Sequence, residues 1–269
     1  MDFTQDFALK REFLGQKSIW KFASDLNSNN SKLNSKLIID SVDCLRFEGI
    51  YDSHSKRWRR VYLTREGITI QLQEEISEAG GQKCLWTAGV VMAKFLEYSF
   101  IRNFFQDLVT PIVLEVGAGA GLPSMIVSLL GYDVIATEQR TCLPYLKSNL
   151  QLNKDVVGKV KIEKLNWESA QSIKNESNID IIIGCDITYD DRNYCDLFEI
   201  FNRYLRKSGI ALICHDNDAC PMNENQYNYL HELAHIHEFT MKLVDLRKNY
   251  VPLGFQCNSI YFWEICRAH

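Results

Sequence analysis

Three alternating glycines follow a short apolar run in the segment VLEVGAGAGLPS, residues 113–124. Gly117, Gly119 and Gly121 allow a sharp turn and carry no Cβ that would keep a ligand away from the backbone. The LPS that follows predicts the start of a helix, whose free N–H groups attract anionic or polar ligands. The third glycine comes after one spacer, so the spacing departs from the G-x-G-x-x-G of dinucleotide-binding folds. The loop, which includes Ala118, therefore predicts a nucleotide-like ligand without selecting one.

Two acidic residues flank this loop. Glu115 lies two residues before the first glycine, and Glu138 ends the next predicted strand. Carboxylates at such positions accept hydrogen bonds from ribose hydroxyls, and Glu115 can also meet a cationic amino group. An acid like Glu138 is shared by enzymes that bind NAD and enzymes that bind S-adenosylmethionine (SAM), but E-x-G-x-G-x-G is typical of class I methyltransferases. A tight turn without any ligand is the alternative interpretation.

The elements that must position these residues begin at about residue 84, where short apolar runs alternate with amphipathic stretches. This alternation predicts a mostly parallel α/β sheet. The predicted strands are residues 112–116, 133–138, 160–167, 179–186 and 210–216, and the clearest helices are TCLPYLKSNLQLN and NYCDLFEIFNRYLRKSG, the second ending in a basic turn and a glycine. Residues 240–246 and 259–267 have no helix between them and predict an antiparallel pair at the sheet edge.

The part of the chain before residue 84 has a different composition. Residues 1–36 form an arm whose segment 24–36 is rich in Ser and Asn, which predicts a flexible linker. Residues 37–83 contain CLRFEGIY, RWRRVYLT and GITIQLQE, which alternate like strands of an antiparallel meander. We expect a small β annex there, followed by a ligand-binding core over 84–269.

Composition and charge restrict the class of protein. With 46% apolar residues among 269, the chain can bury a full core, and its net charge of −4 gives no general attraction for nucleic acid. No apolar run is long enough for a membrane span, and the first residues lack the order of a secretory signal. Nine cysteines form no C-x-x-C pair, which favours reduced thiols in the cytoplasm, with the nucleus as an alternative.

Further segments make the sequence similar to one family. LWTAG (85–89), LEVGAGAGLPS, ATEQRTCLPYLKSNLQLN (136–153), LNW (165–167) and GCDITY (184–189) have the order and approximate spacing seen in lysine methyltransferase family 16. The resemblance covers roughly residues 37–269. It implies a seven-stranded, Rossmann-like class I fold with an antiparallel last strand, and SAM as the cofactor, with S-adenosylhomocysteine (SAH) as the product.

The resemblance implies cofactor contacts for several residues. Trp86 matches the tryptophan of the family's W-x-A segment, Glu138 matches the acid that holds the ribose, and Trp167 should lie beside the adenine. Asn166 stands where an Asp is more common, which keeps an acceptor and a donor but removes a charge. Cys185 matches a small residue that touches the cofactor. A packing role for Trp86 and Cys185, or a solvated charge for Glu138, is the alternative in each case.

The segment from Asp186 to Tyr189 matches the family's D-x-x-Y motif and follows a strand, where open α/β sheets bind ligands. By resemblance, Asp186 orients the incoming lysine amine and Tyr189 walls the channel of the lysine stem. Methyl transfer needs a neutral amine in line with the methyl group, so positioning and desolvation can supply most of the effect. A helix cap is the other role open to Asp186.

One further motif is H-E-x-x-H, at residues 231–235. This pattern puts two imidazoles on one helix face in zinc proteases. The extension that supplies a third ligand is absent, and Glu264 lies in a predicted strand. We therefore expect no metal site there.

Taken together, the sequence predicts a SAM-dependent protein-lysine methyltransferase. The expected partner is a protein substrate such as a translation elongation factor, elongation factor 1A among them, a ribosomal protein or a chaperone. Alternatives are methylation of protein histidine, arginine or a small molecule, an NAD-dependent oxidoreductase, and a non-catalytic methyltransferase fold that binds a partner.

Overall fold

A computed structural model describes residues 45–46, 51–52, 57–75, 84–100, 111–168, 173, 178–246 and 259–268. Its main element is a seven-stranded sheet. The strands are β5 (Ile112–Val116), β6 (Asp133–Glu138), β7 (Val160–Lys164), β8 (Ile179–Cys185), β9 (Leu205–Asp216), β10 (Phe239–Leu243) and β11 (Ile260–Arg267). Their spatial order is β10-β11-β9-β8-β5-β6-β7. The five strands from β7 to β9 are parallel, and β11 is antiparallel to both of its neighbours. The predicted fold class and the terminal antiparallel pair are confirmed.

Helices cover both faces of this sheet. They are α1 (Thr87–Phe95), continued by a π-helical turn over Leu96–Phe100, α2 (Leu122–Leu129), α3 (Leu143–Leu152), α4 (Tyr194–Tyr204) and α5 (Glu224–Ile236). Strand residues alternate between two cores: Val113 packs in the core with α1 and α2, while Leu114 packs in the core with α4 and α5. None of the helices within the described ranges is long and apolar enough to cross a membrane.

The annex is a separate antiparallel sheet. Its strands are β1 (Leu45–Arg46), β2 (Tyr51–Asp52), β3 (Arg57–Leu63) and β4 (Thr69–Glu75). β1, β2 and β4 all pair with β3, so the chain makes the meander that the alternation predicted. The exact division of the chain at residues 36 and 83 stays a prediction.

Asn149 of α3 and Asn153, the C-cap residue of this helix, attach the annex to the core. The Oδ1 of Asn149 accepts the Gln73 N–H at 2.8 Å, and the Oδ1 of Asn153 accepts the Gln71 N–H at 2.8 Å. The Nδ2 of Asn153 donates to the Gln71 carbonyl at 2.7 Å. The backbone groups of Gln71 and Gln73 face the same side of β4, and Asn149 and Asn153, four residues apart, lie on one face of the helix. The spacing of the two asparagines therefore matches the spacing of the two strand residues. The two amides bind β4 as a neighbouring strand would.

A buried polar cluster attaches the annex to α1. Lys94 is 1% exposed, and its ammonium donates to Glu97 Oε2 at 2.8 Å and to the Leu63 carbonyl at 3.1 Å. Glu97 also accepts the Tyr62 hydroxyl at 2.7 Å and the Arg65 N–H at 2.7 Å. The buried charges are thus paired and hydrogen-bonded, as burial requires.

The predicted end of α4 was wrong. The helix ends at Tyr204, and the basic residues after it open β9, because Leu205 pairs with Ile179 and is 1% exposed. The glycine there is not a helix cap: a Cβ on Gly209 would lie 2.8 Å from the Asp180 carbonyl oxygen, so glycine permits a close approach within the strand. The predicted strand over 160–167 also ends earlier, at Lys164.

The asparagine attachment makes a stability prediction. We expect Asn153→Ala to lower the free energy of unfolding by about 2 kcal/mol, because it removes three hydrogen bonds of a side chain that is 3% exposed. Gln151→Ala changes an exposed amide of the same helix and is expected to cost little. Urea unfolding of both variants measures the difference, and equal losses would show that Asn153 does not attach the annex.

Candidate active site

A cavity of about 880 Å³ opens at the carboxyl ends of the central strands. It lies between the start of α1, the glycine loop after β5, and the segments that follow β6, β7 and β8. Its lining includes these residues predicted from the sequence: Trp86, Gly117, Gly119, Glu138, Asn166, Trp167, Cys185, Asp186 and Tyr189. Glu115, Ala118 and Gly121 are not part of the lining. The structure thus gathers most of the predicted residues, while their contacts with a ligand stay predictions.

The glycine loop has left-handed backbone angles, with φ of 69° at Gly117, 52° at Gly119 and 83° at Gly121. A Cβ on Gly121 would lie 2.6 Å from Leu146 Cδ1, and one on Gly117 would lie 2.9 Å from Ile187 Cγ2. A Cβ on Gly119 would meet nothing within 4 Å. Gly117 and Gly121 therefore allow tight packing, whereas Gly119 presents open backbone beside the cavity.

Glu138 is tied to this loop. Its Oε1 accepts the Gly119 N–H at 3.2 Å, and its Oε2 accepts the Gln139 N–H at 2.7 Å. Burial raises the pKa of Glu138, and the two backbone bonds oppose that rise. The side chain is held at the cavity, where its oxygens can accept hydrogen bonds from hydroxyl groups.

Glu115 is 1% exposed, and its side chain binds the start of α2 and does not line the cavity. Its Oε2 accepts the Ser124 N–H at 3.0 Å and also the Ser124 hydroxyl. This N–H belongs to the first turn of α2, where backbone donors have no partner within the helix. Desolvation raises the pKa of Glu115 to about 8. The role in meeting a cationic amino group stays a prediction, whereas the two bonds to Ser124 hold α2 against β5.

Asp186, the residue after β8, is held by backbone groups of β9. Its φ is 52°, its N–H donates to the Cys214 carbonyl at 2.8 Å, and its Oδ1 accepts the Asp216 N–H at 2.7 Å. Burial is the main cause that raises the pKa of Asp186 to about 7; the hydrogen bond from the Asp216 N–H opposes this rise, while the charge of the Asp216 side chain adds to it. The second oxygen, Oδ2, makes no full hydrogen bond within the described residues, although the Ala88 N–H lowers the pKa slightly.

Two residues at the end of β9 hold the segment from Asp186 to Thr188, and sequence reasoning missed both. His215 is fully buried, its Nδ1 lies 3.1 Å from the Thr188 hydroxyl, and desolvation lowers the pKa of its imidazole to about 4. Asp216, 3% exposed, accepts the Asp218 N–H at 3.0 Å and so holds the turn after β9. The sequence signal that could have identified them is the polar pair His215-Asp216 at the end of an otherwise apolar predicted strand.

Aromatic side chains line other parts of the cavity. Trp86 is the residue before α1 and is partly exposed. Trp167 lies close to the glycine loop, with its Cζ2 3.7 Å from the position of a Cβ on Gly117. Tyr189 is 61% exposed, and burial of its remaining surface raises the pKa of its hydroxyl. Flat surfaces and a polar, partly exposed edge suit a ligand with a planar ring.

Cys185 ends β8 and pairs with Cys214 of β9 in the sheet. Burial raises the pKa of both thiols well above the ordinary value, so neither is a nucleophilic thiolate at neutral pH. Cysteines that the sequence did not assign to the site, Cys84, Cys142 and Cys220, also line the cavity. No residue spacing marked these three, because they come from separate loops.

The H-E-x-x-H segment lies on α5, between β9 and β10. The ring of His231 packs on Tyr227, with centroids 4.5 Å apart, and burial lowers the pKa of its imidazole. Among the described residues, no group of three or more His, Cys, Asp or Glu side chains is arranged to hold a metal ion.

The buried carboxyl group of Glu115 makes a pH prediction. Its pKa is raised in the folded chain, to about 8 from a usual 4.5, so its contribution to stability is full below about pH 4.5 and is lost as pH rises through 8. Glu115→Gln keeps an oxygen acceptor for Ser124 but cannot ionise. We expect the free energy of unfolding to fall less steeply from pH 5 to about pH 9 in this variant, as urea titrations would measure. Parallel pH profiles for both proteins would contradict this account.

Comparison with known proteins agrees with this geometry. The family model described as lysine methyltransferase matches residues 64–235. The protein N-lysine methyltransferase METTL21A of Mus musculus is 26% identical over 167 residues, which is 59% of this chain and 74% of that protein. The protein-lysine methyltransferase METTL21E of Mus musculus is 31% identical over 151 residues, which is 51% of this chain and 59% of that protein.

Among solved structures, a methyltransferase from Pyrococcus furiosus is similar at a TM-score of 0.43 and 18% identity, over 60% of this chain and 78% of that one. The family match covers more than half of the chain, from the end of β3 to the HELAH segment of α5. It confirms the resemblance inferred from LWTAG, the glycine loop and GCDITY. The chain belongs to the lysine methyltransferase family and is an enzyme of the methyltransferase class.

Proposed function

We propose that the chain is a SAM-dependent protein-lysine N-methyltransferase. One observation carries the proposal: the buried carboxyl group of Asp186 lines the same cavity as the open backbone of Gly119. A methyl donor at the glycine loop and an amine at Asp186 would therefore meet in one enclosed volume. The relatives named as lysine methyltransferases support the same assignment.

The residues around the cavity fit the parts of SAM. The Glu138 carboxyl group is suited to a ribose diol, and Trp167 offers a flat surface to adenine, with the acceptor and donors of Asn166 next to it in sequence. Gly119 leaves room where any larger residue would put a Cβ. Trp86 adds an aromatic surface from the start of α1. We assign the cofactor site to these residues.

Methyl transfer from SAM to an amine then requires the protein mainly to position the two reactants and to remove a proton from the amine. SAM, when bound, supplies a methyl group that is already activated for transfer. Asp186 accepts a hydrogen bond from the incoming ammonium and, with a pKa of about 7, can take up the proton that the amine must lose. Its burial keeps water from the amine, and Tyr189 aligns the lysine stem at the mouth of the cavity.

The acceptor is proposed to be a lysine of another protein. The D-x-x-Y residues and the names of the relatives are the grounds for choosing lysine over histidine, arginine or a small molecule. A translation elongation factor, with elongation factor 1A as the first candidate, a ribosomal protein or a chaperone is the proposed substrate. The seven described cysteines are free thiols, which is consistent with a cytoplasmic or nuclear site of action.

Labelled SAM tests the proposal most directly. The chain is incubated with labelled SAM and with a lysate from cells that lack it, and mass spectrometry locates the label. We expect label on a lysine side chain. Label on histidine, arginine or a small molecule would refute the acceptor, and stabilisation of the chain by NAD alone in a thermal shift would refute the cofactor. Binding of SAM with no transfer to any acceptor would favour a non-catalytic binding protein.

Asp186 makes the sharpest mutational prediction. Asp186→Asn keeps an oxygen for the Asp216 N–H and tolerates the left-handed backbone, but it cannot take up a proton. We expect kcat to fall by about 100-fold. The dissociation constant for SAH, measured by calorimetry, should change by less than about threefold, a difference of well under 1 kcal/mol.

The matched control is Asp190→Asn, four residues away in the same segment. Asp190 pairs with the exposed Arg192 at 2.5 Å and accepts the Arg192 N–H at 3.1 Å, which Asn can also do. We expect its kcat to stay within about twofold of the unmodified chain, since exposed ion pairs contribute little. An equal fall in kcat in the two variants would contradict the proposed role of Asp186 in methyl transfer.

A further inference from the structure

A carboxylate of the annex binds the backbone of the segment that forms one wall of the cavity. Glu74, on β4, is 1% exposed, and its Oε1 accepts the Leu85 N–H at 2.8 Å. Its Oε2 lies 2.5 Å from the Nε of Arg60 on β3, whose side chain is 3% exposed. The ion pair joins the two longest strands of the annex and directs one oxygen at the segment that precedes α1.

Leu85 lies between two residues that line the cavity, Cys84 and Trp86. Trp86 occupies the N-cap position of α1, and its own side chain does not cap the helix. At this end of α1, the Gly89 N–H donates to the Trp86 carbonyl at 3.1 Å. The hydrogen bond from Glu74 therefore fixes the backbone at the point where the cavity wall begins.

We propose that Glu74 is a positioning residue for the cofactor, acting through the Leu85 N–H to hold Cys84 and Trp86 in the cavity wall. The inference rests on the proposed SAM site, which it extends to the annex. Arg60 fixes the orientation of Glu74, because a buried carboxylate with a paired guanidinium has few alternative geometries. The annex thus belongs to the binding site without touching the ligand.

A positioning role for Glu74 should affect binding of the cofactor but not the rate of methyl transfer. Loss of the bond to Leu85 frees Trp86 to move, which weakens contact with the cofactor in both the ground state and the transition state. Asp186 is held by β8 and β9, so the groups that act on the amine stay in place. We therefore expect the KM for SAM to rise while kcat is kept.

Two double variants differ in whether the side chain at position 74 can accept the Leu85 N–H. Removing one partner alone would leave a buried charge and could unfold the chain, whereas replacing both partners of a buried pair is often tolerated. Arg60→Met with Glu74→Gln, called the Met-Gln protein, keeps an oxygen that can accept the Leu85 N–H. Arg60→Met with Glu74→Met, called the Met-Met protein, removes that oxygen. The two proteins have the same number of charges and similar volumes at both positions.

The variants are compared by steady-state kinetics, SAH calorimetry and hydrogen exchange of the unliganded chain. The Met-Met protein should show about fivefold higher KM for SAM and Kd for SAH than the Met-Gln protein, with kcat equal within about twofold. Exchange of the Leu85 amide should be about tenfold faster in the Met-Met protein. As a control, Asn153→Ala loosens the annex elsewhere and should leave SAH binding and Leu85 exchange unchanged within about twofold.

Equal Leu85 exchange and equal SAH affinity in the two double variants would overturn the role of Glu74. An equal loss in Asn153→Ala would also overturn it, since the effect would then come from general loosening of the annex. A chain that binds neither SAM nor SAH before any substitution would instead overturn the proposed function, and Leu85 exchange would still decide whether Glu74 fixes the wall.

Discussion

The bond between Glu115 and the first turn of α2 is the constraint on which the cavity depends. It joins the middle of β5 to the N-terminus of the helix, so the loop between them must turn within a few residues. The loop makes this turn with left-handed backbone angles at its three glycines, which glycine adopts at little cost. The open backbone of Gly119 lies within this turn, and Glu138 binds the Gly119 N–H.

Burial sets the electrostatics of the site. Glu115, Glu138, Asp186 and Asp216 all lie near the carboxyl ends of adjacent strands, and desolvation is the first cause of a raised pKa in each. A carboxyl group with a raised pKa gains most from a positively charged neighbour, because the neighbour stabilises the form that burial disfavours. Glu138 and Asp186, the two of these that line the cavity, are therefore suited to a cationic ligand.

Much of this could be predicted from the sequence because local patterns determine it. Continuous apolar runs such as IDIIIGC give buried parallel strands, and a glycine-rich turn after the first of them marks the ligand end of the sheet. The start of β9 could not be predicted, since LRKSG after an amphipathic helix resembles a helix end. Its strand pairing with Ile179 is a tertiary effect. The hydrogen bond from the Asp216 N–H to Asp186 was missed for the same reason: the two residues are about 30 apart in sequence and meet only across paired strands.

Asn149 of α3 and its C-cap residue Asn153 have a consequence for how the annex behaves in solution. A strand with one unpaired edge is a template on which another chain can add a strand, and proteins protect such edges to avoid aggregation. On β4, the amides of Asn149 and Asn153 occupy the backbone groups of Gln73 and Gln71 on the side away from β3. Side chains of a helix thus close this part of a sheet edge, and they do so without presenting a new edge in turn.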